Sequence, residues 1–350
     1  MASLQPTNVK RKVFSVLVIL GISTAAALIA GEWYCRAKGL LPYSSHEISI
    51  RVEPGGSFIG PHPILGYANL PGAFRITHPT GYTWKGVQDG EGHRVTRPQA
   101  GSTKGHKDEL WIFGCSLTYG WTLNDSETFP WLLQERFPAY DVTNFGVAGY
   151  GTLHSLLQLR GALATGRRPK AVVLGFMAGH ISRNTFSRTR RKMVKPYSDA
   201  WGSMIQPFAK RDSSGNLRVE MAKYVYEGLP FVTESALMNF LDDKLNEWDE
   251  DRPEHWQVTK GILDEIASTC EQRGIPLVLA DLSPFSDRFS KEWAANHPLV
   301  TLAWMGVNFQ DPVFNNQKLA HDGHPNAAAN RLYSQKLGSA LTQVLATRRR

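Results

Sequence analysis

The residues of this 350-residue chain that could perform chemistry are concentrated in three loops rich in serine, glycine or histidine. The first loop contains Ser116 within the sequence GCSLTYG, directly after a short apolar run and before a segment of helical character. A serine between a strand and a helix exposes its hydroxyl beside free backbone N–H groups, which suits a nucleophile. The alternative is a serine that only caps a helix. The spacing also differs from the G-x-S-x-G nucleophile elbow.

The second loop, NFGVAGYG, runs from Asn144 to Gly151 and contains three glycines. Glycines let a backbone turn tightly and aim its N–H groups at a developing anion. One alternative is a plain strand-to-helix turn. Another is a dinucleotide-binding loop, although the spacing is GxxGxG rather than GxGxxG and the loop follows the second strand.

The third loop is HDGHPN, just before the last helical segment, and it contains Asp322 and His324. An imidazole that activates a serine needs a carboxylate to fix its tautomer and stabilise its charged form, and these two residues could supply that pair. Two alternatives stay open at this point. One is a metal site formed by His321, Asp322 and His324, and the other is a solvated polar turn without chemistry.

Apolar strands alternate with amphipathic helices around these loops. Strands are predicted at 110–113, 142–145, 171–176 and 275–280, and helices at 129–137, 152–164, 255–273 and 325–345, the last with Pro325 in its first turn. This alternation is typical of an α/β fold, with a parallel sheet and helices on both faces. Ligands of such sheets bind at the carboxyl ends of the strands, where the three loops are expected.

A long insertion at about 180–254 interrupts the alternation. Its middle reads as a hairpin, with strands at 208–211 and 217–220 around the turn DSSGN. Thr233 is a candidate cap for a following helix whose apolar face would be Leu237, Phe240, Leu241 and Leu245. The insertion is either a lid or substrate-binding element, or a flap that only covers the sheet.

The N-terminus carries a membrane signal. Lys10-Arg11-Lys12 precedes 18 uncharged residues from Val13 to Ala30, just enough for a helix to cross a bilayer. The positive flank predicts that residues after about Gly31 lie outside the cytoplasm. We expect a retained single-pass anchor in the inner membrane, and a cleaved signal peptide with Ala25-Ala26-Ala27 at its cleavage site is the alternative. The predicted organisation is therefore anchor 1–31, accessory spacer 32–107 and main domain 108–347.

Charge and cysteine usage exclude some classes of protein. The net charge is +8, but ten basic residues and no acidic one lie between 142 and 198. This distribution argues against a nucleic-acid-binding protein and predicts one basic surface, near which an anionic glycan or lipid headgroup would bind. A merely solvated face is the alternative. Three widely spaced cysteines form neither a metal-ligand pattern nor a disulfide framework.

Together, the order of the loops resembles the SGNH (GDSL-type) hydrolase family, over about residues 108 to 345. GCSLTYG is similar to the first block of that family, NFGVAGYG to the second and DGHPN to the last. The sequences HPILGYANLPG and GHRVT also resemble the leader of membrane-anchored bacterial members. The resemblance implies a flavodoxin-like SGNH fold, a triad of Ser116, Asp322 and His324, and an oxyanion hole formed by Gly149 and the Ser116 backbone N–H. It implies no cofactor and no metal.

Two departures from that family matter. Cys115 stands where the GDS pattern has aspartate, which leaves the nucleophile intact. The third block of the family brings an asparagine to the oxyanion hole after its strand, whereas this chain reads GFMAGHISRN from Gly175. His180 or Asn184 is the candidate replacement. Losing one such donor costs roughly 10²- to 10³-fold in turnover.

The sequence therefore predicts a serine-dependent ester hydrolase or O-acyltransferase that acts on an exported acylated polysaccharide or lipid. Water as the acyl acceptor gives an esterase or deacetylase, and a sugar hydroxyl gives an acyltransferase. The competing hypothesis, favoured by the missing asparagine, is an inactive glycan-binding or assembly subunit.

Overall fold

Strands and helices alternate along most of the chain in the computed structural model. It describes residues 6–44, 50–98, 108–201, 204–284, 288–308, 310–315, 319 and 323–347. The strands within these ranges are β1 (Arg51–Glu53), β2 (Ile59–His62), β3 (Gly66–Asn69), β4 (Gly72–Thr77), β5 (Thr83–Gln88), β6 (Asp108–Phe113), β7 (Tyr140–Asn144), β8 (Ala171–Phe176), β9 (Ile205–Arg211), β10 (Leu217–Lys223), β11 (Leu277–Asp281) and β12 (Val300–Trp304). The α-helices are α1 (Pro6–Ala37), α2 (Ser116–Tyr119), α3 (Phe129–Arg136), α4 (Thr152–Ala164), α5 (His180–Thr185), α6 (Arg188–Trp201), α7 (Ala236–Glu250), α8 (Pro253–Gln272), α9 (Arg288–Ala295) and α10 (Ala327–Thr347).

The centre of the molecule is a five-stranded parallel sheet with the order β7-β6-β8-β11-β12. In chain order this is 2-1-3-4-5, the flavodoxin-like arrangement of doubly wound sheets. The predicted α/β fold is thus confirmed. The edge strand β12 was not predicted, because its residues are mostly half-buried and lack the continuous apolar run of the inner strands.

Helices cover both faces of this sheet because successive side chains of a strand point to opposite sides. Trp111, Phe113 and Leu279 pack with α4, α8 and α9 on one face. Ile112 and Val278 pack with α3 and α10 on the other. Helix α10 begins after Pro325 rather than around it, because the side chain of Asn326 accepts hydrogen bonds from the first N–H groups of the helix.

The segment before the sheet has more structure than its sequence suggests. Strands β1, β4 and β5 form an antiparallel sheet, and β2 pairs with β3 within the sequence HPILGYANLPG. Its buried Arg94 donates to the backbone carbonyls of Tyr119 and Gly120, at the end of the first loop, and of Leu123, just after it. The accessory segment is therefore joined to the loop that contains Ser116.

Helix α1 is 32 residues long, which corresponds to about 48 Å. The part from Lys10 to Ala37 is long and apolar enough to cross a membrane, and its most apolar window is not buried against the rest of the protein. A signal sequence near the N-terminus meets the same criteria of length and apolar composition. The exposed apolar helix agrees with either an anchor or a signal peptide.

The insertion contains the expected hairpin, with β9 antiparallel to β10 over the full length of both strands. The helix after it differs from the prediction in two ways. Ser235 rather than Thr233 is its N-cap, and the side chain accepts a hydrogen bond from the N–H of Met238. The side chains of Phe240 and Leu241 are exposed, whereas the buried residues of the helix are Ala236 and the polar Asp242, Asn246 and Asp249.

The basic residues of 142–198 do not form one exposed surface, so that prediction is wrong. Five of the ten are paired with acidic residues: Arg160 with Glu265, Arg167 with Glu91 and Glu109, Lys170 with Asp108, Arg188 with Asp242, and Lys192 with Asp242 and Asp243. Others donate to backbone carbonyls, as Arg191 does to Phe186. Their acidic partners lie outside the stretch, which is why the local sequence did not reveal them.

Candidate active site

Ser116 lies at the topological switch point of the parallel sheet. It is the first residue of α2, three positions after the end of β6, the strand at which the chain connections diverge to either side. Ligands of doubly wound sheets bind at this switch point. The connection is tight because Gly114 and Gly175 leave room for the side chain of Thr118 between them. This packing holds α2 directly against the ends of β6 and β8.

His324 approaches Ser116 from the loop before α10. Its Nε2 atom lies 2.9 Å from the Oγ atom of Ser116, a hydrogen-bond distance between residues 208 positions apart. The ring of Trp121 lies beside the imidazole, with 6.4 Å between the ring centroids. Asp322 and His321 lie outside the described residues. The structure therefore brings together the serine and the imidazole that the sequence singled out.

The second loop is attached to the first by backbone contacts. The N–H of Val147 donates to the carbonyl of Gly114, and the side-chain amide of Asn144 donates to the carbonyl of Thr118. A side chain at Gly146 would collide with the backbone of Thr118 and Tyr119, so only glycine fits this approach. The loop consequently lies against α2, next to Ser116.

Gly149 adopts a left-handed conformation, with φ of +85°, and side chains from elsewhere hold its surroundings. Arg190 of α6 donates to its carbonyl oxygen at 3.0 Å, and Arg183 donates to the carbonyl of Tyr150 at 2.9 Å. The hydroxyl of Tyr67 donates to the carbonyl of Ala148 at 2.8 Å. Within the described part of the chain, the N–H groups of Ser116 and Gly149 have no acceptor.

Sequence reasoning missed the roles of Tyr67 and Arg190. Tyr67 lies in the leader-like sequence HPILGYANLPG, whose resemblance to membrane-anchored relatives was the available signal. Arg190 is only 6% exposed, and no carboxylate of the described residues pairs with it. Burial, reinforced by the neighbouring Arg183, lowers the pKa of Arg190. An arginine within a basic stretch gives no sequence signal of such a buried contact.

The side chains of His180 and Asn184, the candidate replacements for the missing asparagine, both form hydrogen bonds near the beginning of α4. The side chain of Asn184 accepts from the N–H of Leu153 at the start of α4 and donates to the hydroxyl of Thr259. The ring of His180 is fully buried against Thr152, and its Nε2 atom has no partner among the described residues. Both side chains support the beginning of α4.

The position directly after β8 is occupied by Met177. Its sulfur lies 3.9 Å from the sulfur of Cys115, and the following N–H, of Ala178, donates to the hydroxyl of Ser283. A thioether cannot donate a hydrogen bond. The side chain that follows this strand therefore supplies no hydrogen-bond donor.

Two buried histidines accompany the second loop in the neutral form. Burial, and then the nearby Arg190 and Arg183, lower the pKa of His154 to about 3. Burial, followed by Arg183, also lowers the pKa of His180 well below its usual value. His154 stacks on Tyr150 and accepts from the N–H of Gly151, so its imidazole caps α4. Among the described residues there is no group of three or more His, Cys, Asp or Glu placed to hold a metal ion.

No protein-family model and no curated protein sequence matches the chain. Solved structures with a similar fold include TesA, at 16% identity over 68% of this chain and 99% of that one, with a TM-score of 0.39. The esterase EstA from Pseudoalteromonas sp. is similar at 13% identity over 69% and 100%, with a TM-score of 0.39. A member of the lipolytic G-D-S-L family from Veillonella parvula is similar at 12% identity over 67% and 98%, with a TM-score of 0.28. The functional assignment depends on the site itself.

Proposed function

We propose that this protein is a membrane-anchored serine acyl-transfer enzyme of the SGNH type, acting on an exported ester. The observation that carries the proposal is the 2.9 Å contact between the Oγ atom of Ser116 and the Nε2 atom of His324 at the carboxyl end of β6. A hydroxyl and an imidazole in direct contact form the reactive pair of serine hydrolases.

In the first step, the Oγ atom of Ser116 attacks the acyl carbonyl of the substrate while His324 removes the hydroxyl proton. The C–O bond to the leaving alcohol then breaks, and His324 returns the proton to that alcohol. The product is an acyl ester on Ser116. Asp322 is the proposed partner of the second ring nitrogen of His324, which would fix the tautomer with Nε2 unprotonated.

The tetrahedral intermediate carries a negative oxygen that needs hydrogen-bond donors. We assign this role to the backbone N–H groups of Ser116 and Gly149. Arg190 donates to the carbonyl of Gly149 and Arg183 to the carbonyl of Tyr150, and the positive charges of both favour an anion near this loop. Met177, the residue after β8, offers no hydrogen-bond donor. The proposed oxyanion hole therefore consists of the two backbone N–H groups, assisted by the positive charges of the two arginines.

In the second step, an acceptor hydroxyl attacks the acyl-enzyme while His324 again acts as base. Water as the acceptor releases a carboxylic acid, so the enzyme is an esterase or deacetylase. A sugar hydroxyl as the acceptor forms a new ester, so the enzyme is an O-acyltransferase. The proposed substrate is an acylated polysaccharide or lipid, reached from the inner membrane through α1 as a single-pass anchor.

The proposal is tested by labelling the full-length protein in membranes with a fluorophosphonate, which phosphonylates activated serines. We expect stoichiometric labelling of the wild type and none of Ser116→Ala. His324→Ala should label far more slowly, because the hydroxyl then lacks its base. Ser339→Ala is the matched control, since Ser339 is exposed on α10 and bonds only to the carbonyl of Gln335. Equal labelling of wild type and Ser116→Ala would refute the nucleophile.

One observation favours a second candidate function, an inactive glycan-binding or assembly subunit. The residue after β8 is Met177, which cannot replace a donating asparagine. Under this hypothesis the wild type stays unlabelled by the fluorophosphonate but binds an acylated polysaccharide. Labelling of Ser116 excludes this second function.

A further inference from the structure

Helix α7 has its polar face toward the protein and its apolar face outward. The buried residues on its inner side include Asp242, Asn246 and Asp249. The outer side carries one stripe formed by the half-buried Leu237, the exposed Phe240, Leu241 and Trp248, and Lys244, and the exposed Asp243 and Glu247 lie beside it. Trp248 is 65% exposed. A surface helix of a water-soluble domain normally has the opposite arrangement.

The inward orientation is fixed by charge pairing with α6. Asp242 accepts from Arg188 at 3.1 Å and from Lys192 at 3.0 Å, and Asp249 accepts from the backbone N–H of Arg188 at 2.9 Å. The hydroxyl of Tyr226 also donates to Asp242. Rotating α7 to bury its apolar stripe would leave these charges unpaired, which is costly. The apolar stripe therefore stays on the surface.

Helix α7 is also joined to the end of α1. The carboxylate of Glu32 accepts hydrogen bonds from the hydroxyl of Ser235 and from the N–H groups of Ala236 and Leu237, at 2.6, 3.1 and 2.9 Å. A carboxylate at this place satisfies free N–H groups and complements the helix dipole. Leu237 packs on Gly31 of α1. The apolar stripe of α7 therefore begins in contact with Gly31, the residue that follows the uncharged segment 13–30 of α1.

Further exposed apolar side chains surround this junction. Trp33 is 73% exposed, Phe231 is 70% exposed and Leu41 is 70% exposed. Phe231 lies in the turn before α7, in a left-handed conformation with φ of +64°. Leu41 is attached to α7, because the side chain of Asn239 donates to its carbonyl. Large exposed apolar side chains grouped around one junction are typical of an interaction surface.

We propose that the outer face of α7, together with Phe231 and Leu41, lies in the interfacial region of the bilayer that α1 crosses. The inference rests on the proposed anchor. Its occupant is lipid because the patch continues from the membrane end of α1, at the level of Trp33 and Tyr34. Trp, Phe and Leu with an occasional lysine are the composition of interfacial helices. Lys244, stacked over Phe240 and paired with Glu247, keeps its charge at the headgroups.

Docking would fix the active site relative to the membrane. Helix α6 contacts α7 through Arg188 and Lys192, and it contacts the second loop through Arg190 and the carbonyl of Gly149. Only one helix therefore separates the proposed lipid-bound face from the proposed oxyanion loop. The domain is held on the bilayer by two surfaces rather than swinging on a single tether.

The test places an environment-sensitive fluorophore, NBD, on single cysteines in the full-length protein. The native cysteines are buried and free, and the unsubstituted chain measures their background labelling. Leu241→Cys and Trp248→Cys report on the patch. Leu299→Cys is the matched control, an exposed leucine before β12. Leu20→Cys reports on α1 itself. The protein is reconstituted at less than one copy per vesicle of phosphatidylethanolamine and phosphatidylglycerol, with doxyl-labelled lipid as quencher.

We expect blue-shifted emission and at least twofold quenching by shallow doxyl lipid at positions 241 and 248, and neither effect at 299. Quenching at position 20 but not at 241 or 248 overturns the docking and leaves the anchor intact. The same result is expected if the patch binds another protein or a second copy of this chain, because the vesicles contain neither. No quenching at position 20 overturns the anchor and the docking together.

Discussion

At the scale of single residues, the account depends on Ser116 and His324, whose Oγ and Nε2 atoms lie 2.9 Å apart at the switch point of the sheet. Removing either residue should lower kcat/KM for p-nitrophenyl acetate by about 10⁴- to 10⁶-fold, because the two act as one unit. The double variant should be no slower than the slower single variant. Additive losses, measured by steady-state kinetics, would show that the two residues act independently.

Arg190 is a positioning residue rather than a catalytic one, because it contacts the carbonyl of Gly149 and not the reacting atoms. Arg190→Met should lower kcat by about tenfold to 10²-fold by loosening the loop, with little change in KM. Arg190→Lys, which keeps the charge, should recover part of that loss. Arg191→Met is the control on the same helix, since Arg191 donates to Phe186 instead. Equal effects of both methionine variants would contradict a specific role.

His154 makes the region around the second loop sensitive to acid. Its pKa is lowered to about 3 in the folded protein, against about 6.5 when unfolded. Below pH 6.5 the unfolded state therefore binds a proton that the folded state does not, and the free energy of unfolding falls as the pH falls. The loss is about 1.4 kcal/mol per pH unit for this group, until the pH reaches about 3.

Urea unfolding in detergent at pH 6.5 and pH 4.5 measures this dependence. His154→Gln should have a shallower pH dependence than the wild type, because glutamine does not titrate. His78→Gln, a change at a half-exposed histidine in the accessory segment, should keep the wild-type dependence. An unchanged dependence in His154→Gln would show that other groups cause the acid sensitivity.

At the scale of elements, the junction between α1 and α7 is held by one carboxylate. Glu32→Ala should lower the free energy of unfolding and raise hydrogen exchange at the amides of Ala236 to Met238. Glu32→Gln, which keeps one acceptor oxygen, should lie between. Glu247→Ala, which removes only a surface pair with Lys244 on the same helix, should change neither quantity. Unaltered exchange in Glu32→Ala would contradict the capping role.

The inner strands were predictable because burial on both faces gives each of them a continuous apolar run. The helices that cover them were predictable from the helical spacing of their apolar residues. The bounds 171–176 and 152–164 agree with β8 and α4. The half-buried β12 lacks that signal.

The orientation of α7 was not predictable from its own amphipathic pattern. The basic residues that pair with its polar face, Arg188 and Lys192, lie about 50 residues earlier in the chain. Local periodicity identifies a helix but not the neighbour that it faces.

Contacts between residues far apart in the chain also limited the prediction of the candidate site. Ser116 and His324 were identified because the three loops, taken together and in this order, resemble the blocks of the SGNH family. His180 and Asn184 have hydrogen-bond partners at the start of α4, and only the tertiary structure shows these contacts. Tyr67 and Arg190 reach the second loop from 82 residues before and 41 residues after Gly149, and no spacing rule connects them.

At the scale of the whole molecule, the N-terminal charge pattern and the exposed α1 predict that the main domain lies outside the cytoplasm. In bacterial cells whose outer membrane has been opened, added protease should degrade the domain while the inner membrane is still intact. The protein should also stay in the membrane after alkaline carbonate extraction. Protection until the inner membrane is lysed would reverse the orientation, and release by carbonate would remove the anchor.

The central claim is that the hydroxyl of Ser116 carries the acyl group during turnover. The most direct measurement is acid quenching of the full-length protein during hydrolysis of p-nitrophenyl acetate, followed by peptide mass spectrometry. The account predicts one acetyl group per chain, attached to the peptide that contains Ser116, and its disappearance in Ser116→Ala. Turnover with the acetyl group on another residue, or with no covalent intermediate on Ser116 at any quench time, would contradict it.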